Sequence, residues 1–143
     1  MRRKGWTPNE DDMTAVVAIH NAVNERAWRE ILHWEKAHSD ESAAYGGPQL
    51  VRFQGRPNDY SPKARLLNAL GYALPFDRHD WVVERGPDRV RYVIDFYNAA
   101  PSPDMPVAVH LDVRPALDSP SAFVDRLRMQ WKWFQSKRWI SEA

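Results

Sequence analysis

The sequence predicts an α+β fold, in which a small antiparallel sheet with a hairpin packs against flanking helices. Three features support this prediction. A helical pattern opens the chain, two runs with the two-residue period of strands meet at a Gly-Pro-Asp turn, and a long amphipathic run closes the chain. At 143 residues the chain is most simply one domain, residues 1–143, and is long enough to bury a core.

Two helices are predicted in the first quarter of the chain. Thr7 can cap a first helix with Pro8 in its first position, and this helix is expected to end near Asn21. Asn24 is then expected to cap a second helix. One side of this second helix would carry Trp28, Ile31, Leu32 and Glu35.

The middle of the chain predicts a short strand, a helix and a hairpin. Residues 49–55 are a candidate strand, and Ser61 and Pro62 begin a helix that Gly71 ends. Two β-rich runs then flank residues 86–88, Gly-Pro-Asp, which is a hairpin pattern. Apolar residues alternate in the second run at Val90, Tyr92, Ile94 and Phe96.

The last third predicts one more strand and a closing helix. Alternation continues with Val107, Val109, Leu111 and Val113 on one face of the strand. Ser119 is expected to cap the final helix. The apolar stripe of that helix consists of Phe123, Leu127, Trp131 and Phe134. Met129 and Trp133 lie off the stripe. They would either add to the core or form a patch that contacts a membrane surface or a partner.

Composition excludes several classes of function. Lys and Arg number 20 and Asp and Glu 19, so the net charge is +1, without the basic excess of a nucleic-acid binder. The absence of cysteine excludes disulfides, thiolate metal sites and a cysteine nucleophile. No apolar run is long enough to span a membrane, and no secretory signal is predicted. The seven Trp suit an aromatic core or a pocket for a large planar ligand.

His20 is the residue that this pattern leaves unexplained. It falls in one arc of the helix with three apolar residues, at about 100° per residue. These are Met13, Val16 and Val17. An imidazole at the end of such a stripe is typical of a hydrogen-bonded structural residue, a proton shuttle or a metal ligand, and the spacing does not choose between them.

Four stretches of the chain resemble the cytochrome c haem lyases, also called holocytochrome c synthases. They are IHNAVNERAWREILHWE, YSPKARLLNALGYALPFDRHDW, RVRYVIDFY and LDVRPALDSPSAFVDR, and KGW at residues 4–6 matches a further family element. Long strings of unusual composition such as PFDRHDW make a chance match improbable. The longer N-terminal region with Cys-Pro motifs that family members usually carry is absent from the sequence.

The resemblance implies a reaction and two partners. Haem b, as a substrate, and an unfolded apocytochrome c would be held side by side. The cysteines of the Cys-x-x-Cys-His segment in the cytochrome would then add across the haem vinyl groups. Because these nucleophiles belong to the substrate, a lyase without cysteine is chemically consistent. The resemblance also implies a location in the mitochondrial intermembrane space, peripheral on the inner membrane, with no nucleic-acid partner.

The resemblance implies roles for residues at the end of the first predicted helix. A family His ligates the haem iron, and its motif falls on His20, with Asn21 beside it in the haem pocket. The His of the substrate would take the opposite axial position. Glu25 matches a family acid and would either orient the imidazole or cap the second helix. His20 and Glu25 are therefore the catalytic candidates.

The remaining candidates each have a structural alternative. Trp6 matches a family Trp that is associated with the haem pocket, and would stack on porphyrin or pack beneath the first helix. His79 matches the family, and would bind haem or join an ion-pair turn with its neighbours. Three arginines could bind the haem propionates through bidentate pairing, or could instead have a surface or structural role. These candidates are Arg65, Arg78 and Arg85, whereas His33, His38 and His110 are expected to be non-catalytic.

Two other functions remain open. One is a haem-binding or haem-chaperone module of the same fold that does not catalyse thioether formation. The other is an interaction domain without haem, whose Trp residues simply fill the core.

Overall fold

The computed structural model describes residues 10–100, 103 and 108–142. The helices and strands in chain order are α1 (Glu10–Glu35), α2 (Ser39–Ser42), β1 (Gln49–Gly55), α3 (Pro62–Ala69), β2 (Asp77–Arg85), β3 (Asp88–Asn98), β4 (Val109–Pro115) and α4 (Pro120–Glu142). Two 3₁₀ turns, Lys36–His38 and Ala43–Tyr45, flank α2. Thr7, Pro8, Trp6 and Val107 lie outside the described residues.

The four strands form one antiparallel sheet in the order β1-β2-β3-β4, so the predicted α+β fold with a hairpin is confirmed. The hairpin loop is Gly86-Pro87, because Arg85 already pairs with Asp88. Gly86 has a φ of 56°, and a Cβ atom there would clash with the backbone of Glu41. The sharp turn therefore needs glycine at this position.

The core lies between one face of the sheet and the second half of α1. Ala27 and Ile31 of α1 are almost fully buried. They belong to one cluster with Trp81, Val83, Tyr92, Ile94, Phe96 and Val113 from three neighbouring strands. The alternation predicted for β3 is confirmed, since Val90, Tyr92, Ile94 and Phe96 pack on this face, whereas Arg91, Val93 and Asp95 lie on the other. Removal of apolar surface from water stabilises this contact.

The predicted helix break between Asn21 and Asn24 is wrong, because α1 is continuous from Glu10 to Glu35. Asn in a helix interior costs less than about 1 kcal/mol relative to Ala, and neither Gly nor Pro interrupts the run. Burial of Ala27 and Ile31 against the sheet outweighs that cost. Both asparagine side chains are exposed on the helix surface.

Helix α3 and strand β1 lie where the sequence predicts them. Ser61 Oγ accepts a hydrogen bond from the Ala64 N–H at 3.1 Å, and Pro62 is the first residue of α3. Gly71, with a φ of 98°, follows the helix end. All seven residues of β1 are exposed, because β1 is an edge strand that helix α1 does not cover.

The closing helix begins as predicted but presents its apolar stripe to solvent. Ser119 Oγ accepts a hydrogen bond from the Ala122 N–H at 3.2 Å. The helix contacts the body through Ala122 and Asp125, which are buried. The stripe residues are 54% to 65% exposed, because α1 already occupies the apolar face of the sheet. None of the described helices is long and apolar enough to cross a bilayer.

Candidate functional site

The first half of α1 extends beyond the sheet and carries His20. The side chain of His20 is exposed, whereas Val23, one turn later, already packs against the core. Around the helix axis, His20 lies within about 20° of Ala27 and Ile31, and about 10 Å before Ala27 along it. The imidazole therefore continues the core-facing side of α1 past the end of the sheet, where the described residues of the sheet no longer cover it.

Aromatic side chains cluster at the end of the sheet toward which this half of α1 extends. Glu35 contacts Arg85 beside the hairpin, so the start of α1 points to the opposite end, where β2 begins. There the rings of His79 and Phe96 meet edge to face, with centroids 4.9 Å apart, and Phe76 lies 6.2 Å from Phe96. We call His79, Phe76 and Phe96 the aromatic sheet end.

His79 remains accessible at this aromatic sheet end. Its side chain is 30% exposed, and its Nε2 lies 3.3 Å from Asp77 Oδ2. Gly55 pairs with His79 across the sheet, and a Cβ atom on Gly55 would lie only 3.7 Å from the ring. Glycine on the neighbouring strand thus leaves one side of the imidazole without a covering side chain.

Glu25 and Asn21 do not share the face of His20. Because α1 is continuous, Glu25 lies about 140° around the axis from His20 and Asn21 about 100°. Both side chains are exposed, and no hydrogen bond joins Glu25 to His20. The helix-cap role considered for Glu25 is wrong, since no helix begins there.

Arg78 and Asp80 lie on the opposite face of the sheet from His79. The Arg78 guanidinium donates to both Asp80 oxygens, at 3.0 and 3.2 Å, and to the Asp59 carbonyl oxygen at 3.2 Å. Asp80 also accepts from Arg56 and Arg91, at 3.2 and 2.9 Å. The motif PFDRHDW is therefore split between two faces, and His79 contacts Asp77 but neither Arg78 nor Asp80.

The other two arginine candidates differ sharply in environment. Arg65 on α3 is exposed, whereas Arg85 is buried and donates to both Glu35 oxygens, at 2.9 and 2.7 Å. Burial alone would lower the pKa of Arg85, but the hydrogen bonds and charge of Glu35 outweigh it and raise that pKa. Burial and the hydrogen bond to Glu35 raise the pKa of Tyr92. Arg85 thus has a structural role.

A second buried polar contact was not visible in the sequence. His38 Nε2 lies 2.8 Å from Asp125 Oδ2, and His38 Nδ1 lies 2.8 Å from Glu41 Oε1. The hydrogen bond from His38 lowers the pKa of Glu41. His38 and Asp125 are 87 residues apart, so no local pattern could have paired them. No group of three His, Asp or Glu side chains suited to a metal ion exists among the described residues.

These features define a small α+β domain whose first helix carries the exposed imidazole of His20 past the core, toward the end of the sheet that holds the aromatic side chains. The chain belongs to the cytochrome c/c1 heme lyase family, whose model matches residues 1–131. It is 48% identical to a holocytochrome c-type synthase of Gallus gallus over 99% of this chain and 51% of the relative. The identity is 46% with the Homo sapiens protein of the same name, over 99% of this chain and 52% of the relative.

A holocytochrome-c synthase of Saccharomyces cerevisiae is 41% identical over 82% of this chain and 50% of its own length. The chain thus spans roughly half the length of these three relatives. No solved structure matches it.

Proposed function

We propose that this chain is the haem-handling domain of a holocytochrome c synthase. It would hold haem b as a substrate and promote thioether bonds between the haem vinyl groups and the Cys-x-x-Cys-His cysteines of apocytochrome c. Membership of the heme lyase family supports the activity. The observation that carries the proposal is the position of His20, an exposed imidazole on the core-facing side of α1 beyond the sheet.

His20 would ligate the haem iron through a neutral ring nitrogen. Two apolar residues share its arc one and two turns earlier on α1, and the aromatic sheet end lies beyond the core on the same side. These residues are Val17 and Met13, which are 53% and 39% exposed. A flat, apolar macrocycle would cover this exposed surface, and its burial would stabilise the complex.

Thioether formation needs no nucleophile from this chain. Each substrate thiol adds across a vinyl group, with sulfur bonding to one vinyl carbon and the thiol proton ending on the other. The chain would contribute positioning, because iron ligation by His20 and by the substrate His fixes the thiols beside the vinyls. Release of the product would then require the His20–iron bond to break.

The remaining haem contacts are proposed with unequal structural support. His79 is supported by its accessible ring at the aromatic sheet end. Arg65 is exposed, whereas the donors of Arg78 are engaged by Asp80 and Asp59. Trp6, Asn21 and Glu25 rest on the family resemblance.

Location and membrane contact are also proposed. A domain that matures cytochromes c would act in the mitochondrial intermembrane space, against the inner membrane. The exposed stripe of α4 supports a peripheral contact, since its four apolar residues are bordered by Arg128 and Lys132. Apolar residues beside cations favour an anionic bilayer surface.

The proposal is tested by mixing the chain with ferrous haem and a Cys-x-x-Cys-His peptide under reducing conditions. Haem that survives acid–acetone extraction has become covalent. Covalent product supports the lyase. Haem binding without covalent product would instead indicate a haem-binding or chaperone module, and absence of both would indicate an interaction domain without haem.

A further inference from the structure

A groove on the polar face of the sheet is lined by α3, β4 and α4. It has two lobes, which share Lys63, Arg114 and Arg126. One lobe, of about 530 Å³, is bordered by Met129 and Trp133. The other, of about 450 Å³, is bordered by Leu66 and Leu117. We call this surface the α4 groove.

The three shared cations differ in how their charge is balanced. Lys63 Nζ lies 2.8 Å from Asp112 Oδ2, and Arg114 Nη2 lies 2.8 Å from Asp95 Oδ2. Arg126 donates only its Nε–H, to the Pro115 carbonyl oxygen at 2.8 Å. No carboxylate of the described residues lies within 4.0 Å of the Arg126 nitrogens. Arg126 is thus a half-buried guanidinium that no carboxylate of the described residues contacts directly.

Two further observations mark this position as an anion site. Burial, and then the charge of Arg114, lower the pKa of Arg126, and the opposing charge of Asp112 offsets this only in part. The buried Nε of Arg114 has no hydrogen-bond acceptor among the described residues. Most buried donors in folded proteins have a partner. A ligand oxygen is the group that would complete this arrangement.

The α4 groove is separate from the proposed haem site. Trp34, which borders the larger lobe, lies 14 residues after His20 on the same straight helix, a separation of about 21 Å. Propionates of a haem ligated by His20 do not extend that far. A carboxylate beside Trp34 in the larger lobe would therefore belong to another molecule.

We propose that the α4 groove binds an extended polypeptide, with an acidic side chain on Arg126 and apolar side chains in the two lobes. The choice of a polypeptide rests on the proposed function, in which an unfolded protein is the second substrate. Lobes on both sides of the three shared cations fit a linear ligand that crosses Arg126. Arg126 would bind the carboxylate through its two free Nη groups, with bidentate geometry.

The test measures binding of a short labelled peptide to the full chain without haem, by fluorescence anisotropy. The peptide carries one Glu between Leu residues, and its matched control carries Gln instead. The Glu peptide is expected to bind about 10-fold more tightly, because a charged hydrogen bond exceeds a neutral one. Arg126→Gln, which keeps a donor for the Pro115 carbonyl, is expected to abolish this preference, and Arg126→Lys to retain part of it.

Arg128→Ala is the control, since Arg128 is a cation on the same helix that is 49% exposed and lines neither lobe of the groove. Equal binding of the two peptides, or an equal loss in Arg128→Ala, would overturn the proposal. Displacement of the peptide by haem in His20→Ala would show that propionates occupy Arg126, and would also overturn it. Because the assay contains no haem otherwise, its result is independent of whether thioethers form.

Discussion

His38, just after α1, and Asp125, in the second turn of α4, are joined by a buried contact of 2.8 Å between Nε2 and Oδ2. Both side chains are less than a tenth exposed. Asp125 Oδ2 also lies 3.8 Å from the Arg85 guanidinium, which Glu35 holds. The contact therefore ties α4, whose apolar stripe is unburied, to the end of α1 and to the hairpin strand β2.

Replacing Asp125 with Ala should strongly destabilise the fold. The change leaves buried His38 without its hydrogen-bond partner and removes a carboxylate near Arg85, and a buried polar group left unpaired costs roughly 1 to 3 kcal/mol. Urea unfolding followed by circular dichroism measures the free energy. Asp40→Asn, at an exposed acid one turn from α1, is the control and should change it by less than about 0.5 kcal/mol. Equal small effects of both changes would contradict the role of this contact.

Glu41 should make stability depend on acid pH. The hydrogen bond from His38 holds the pKa of Glu41 below its ordinary value of 4.5, so the folded chain binds this proton less readily than the unfolded chain. The stabilisation is complete above the unfolded pKa and is lost as the pH falls through the lowered folded pKa. The effect is small, because Glu41 is 51% exposed.

The measurement is the urea midpoint of the parent and of Glu41→Gln between about pH 6 and pH 3. The variant should be less stable at the upper end, and the two should converge toward the lower end. A constant difference across this range would contradict the linkage.

Gly86→Ala should damage the hairpin much more than Gly71→Ala. Both glycines have positive φ, but a Cβ atom on Gly86 would strike the Glu41 backbone, whereas one on Gly71 has nothing within 4 Å. The strain of a left-handed conformation alone costs about 1 to 2 kcal/mol. We expect this loss for Gly71→Ala and more than about 3 kcal/mol for Gly86→Ala. Thermal unfolding of the two variants compares them, and equal losses would contradict the clash.

The stripe of α4 should bind vesicles that contain anionic lipid. Replacing both Leu127 and Trp131 with Ser should weaken co-sedimentation about 10-fold or more, since each buried apolar side chain contributes about 1.5 to 3 kcal/mol. Leu70→Ser is the control, because Leu70 is 68% exposed on the segment after α3 and lies outside the stripe. Equal weakening by the control would show that the exposed apolar surface binds lipid without preference for α4.

The sequence predicted the elements whose signals are local. Ser61 and Ser119 cap helices, and the Gly86 turn joins two strands, because each depends on neighbours a few residues away. The break between Asn21 and Asn24 was wrong for the opposite reason. Asparagine is a common helix-capping residue and therefore predicts a helix start. Here the helix stays continuous because the second half of α1 packs against strands that are distant in sequence.

Burial and pairing across the chain could not be predicted. The stripe of α4 is amphipathic in sequence, but whether it is buried depends on which helix already covers the sheet, and α1 does. Arg85 is a candidate for a haem propionate in the sequence, but its guanidinium binds Glu35, which lies 50 residues away. His20 became a candidate haem ligand through the family resemblance, because its own spacing on the helix did not assign it a role. That no carboxylate of the described residues contacts Arg126 directly is a property of the folded chain alone.

The amount of covalent haem that the His20→Ala variant forms tests the central claim most directly. His33→Ala is the control, because His33 is also an exposed imidazole on α1. Each variant is mixed with ferrous haem and a Cys-x-x-Cys-His peptide, and haem that resists acid–acetone extraction is quantified. His20→Ala should lose the product while remaining folded, and His33→Ala should match the parent chain. Undiminished product in His20→Ala would contradict the account.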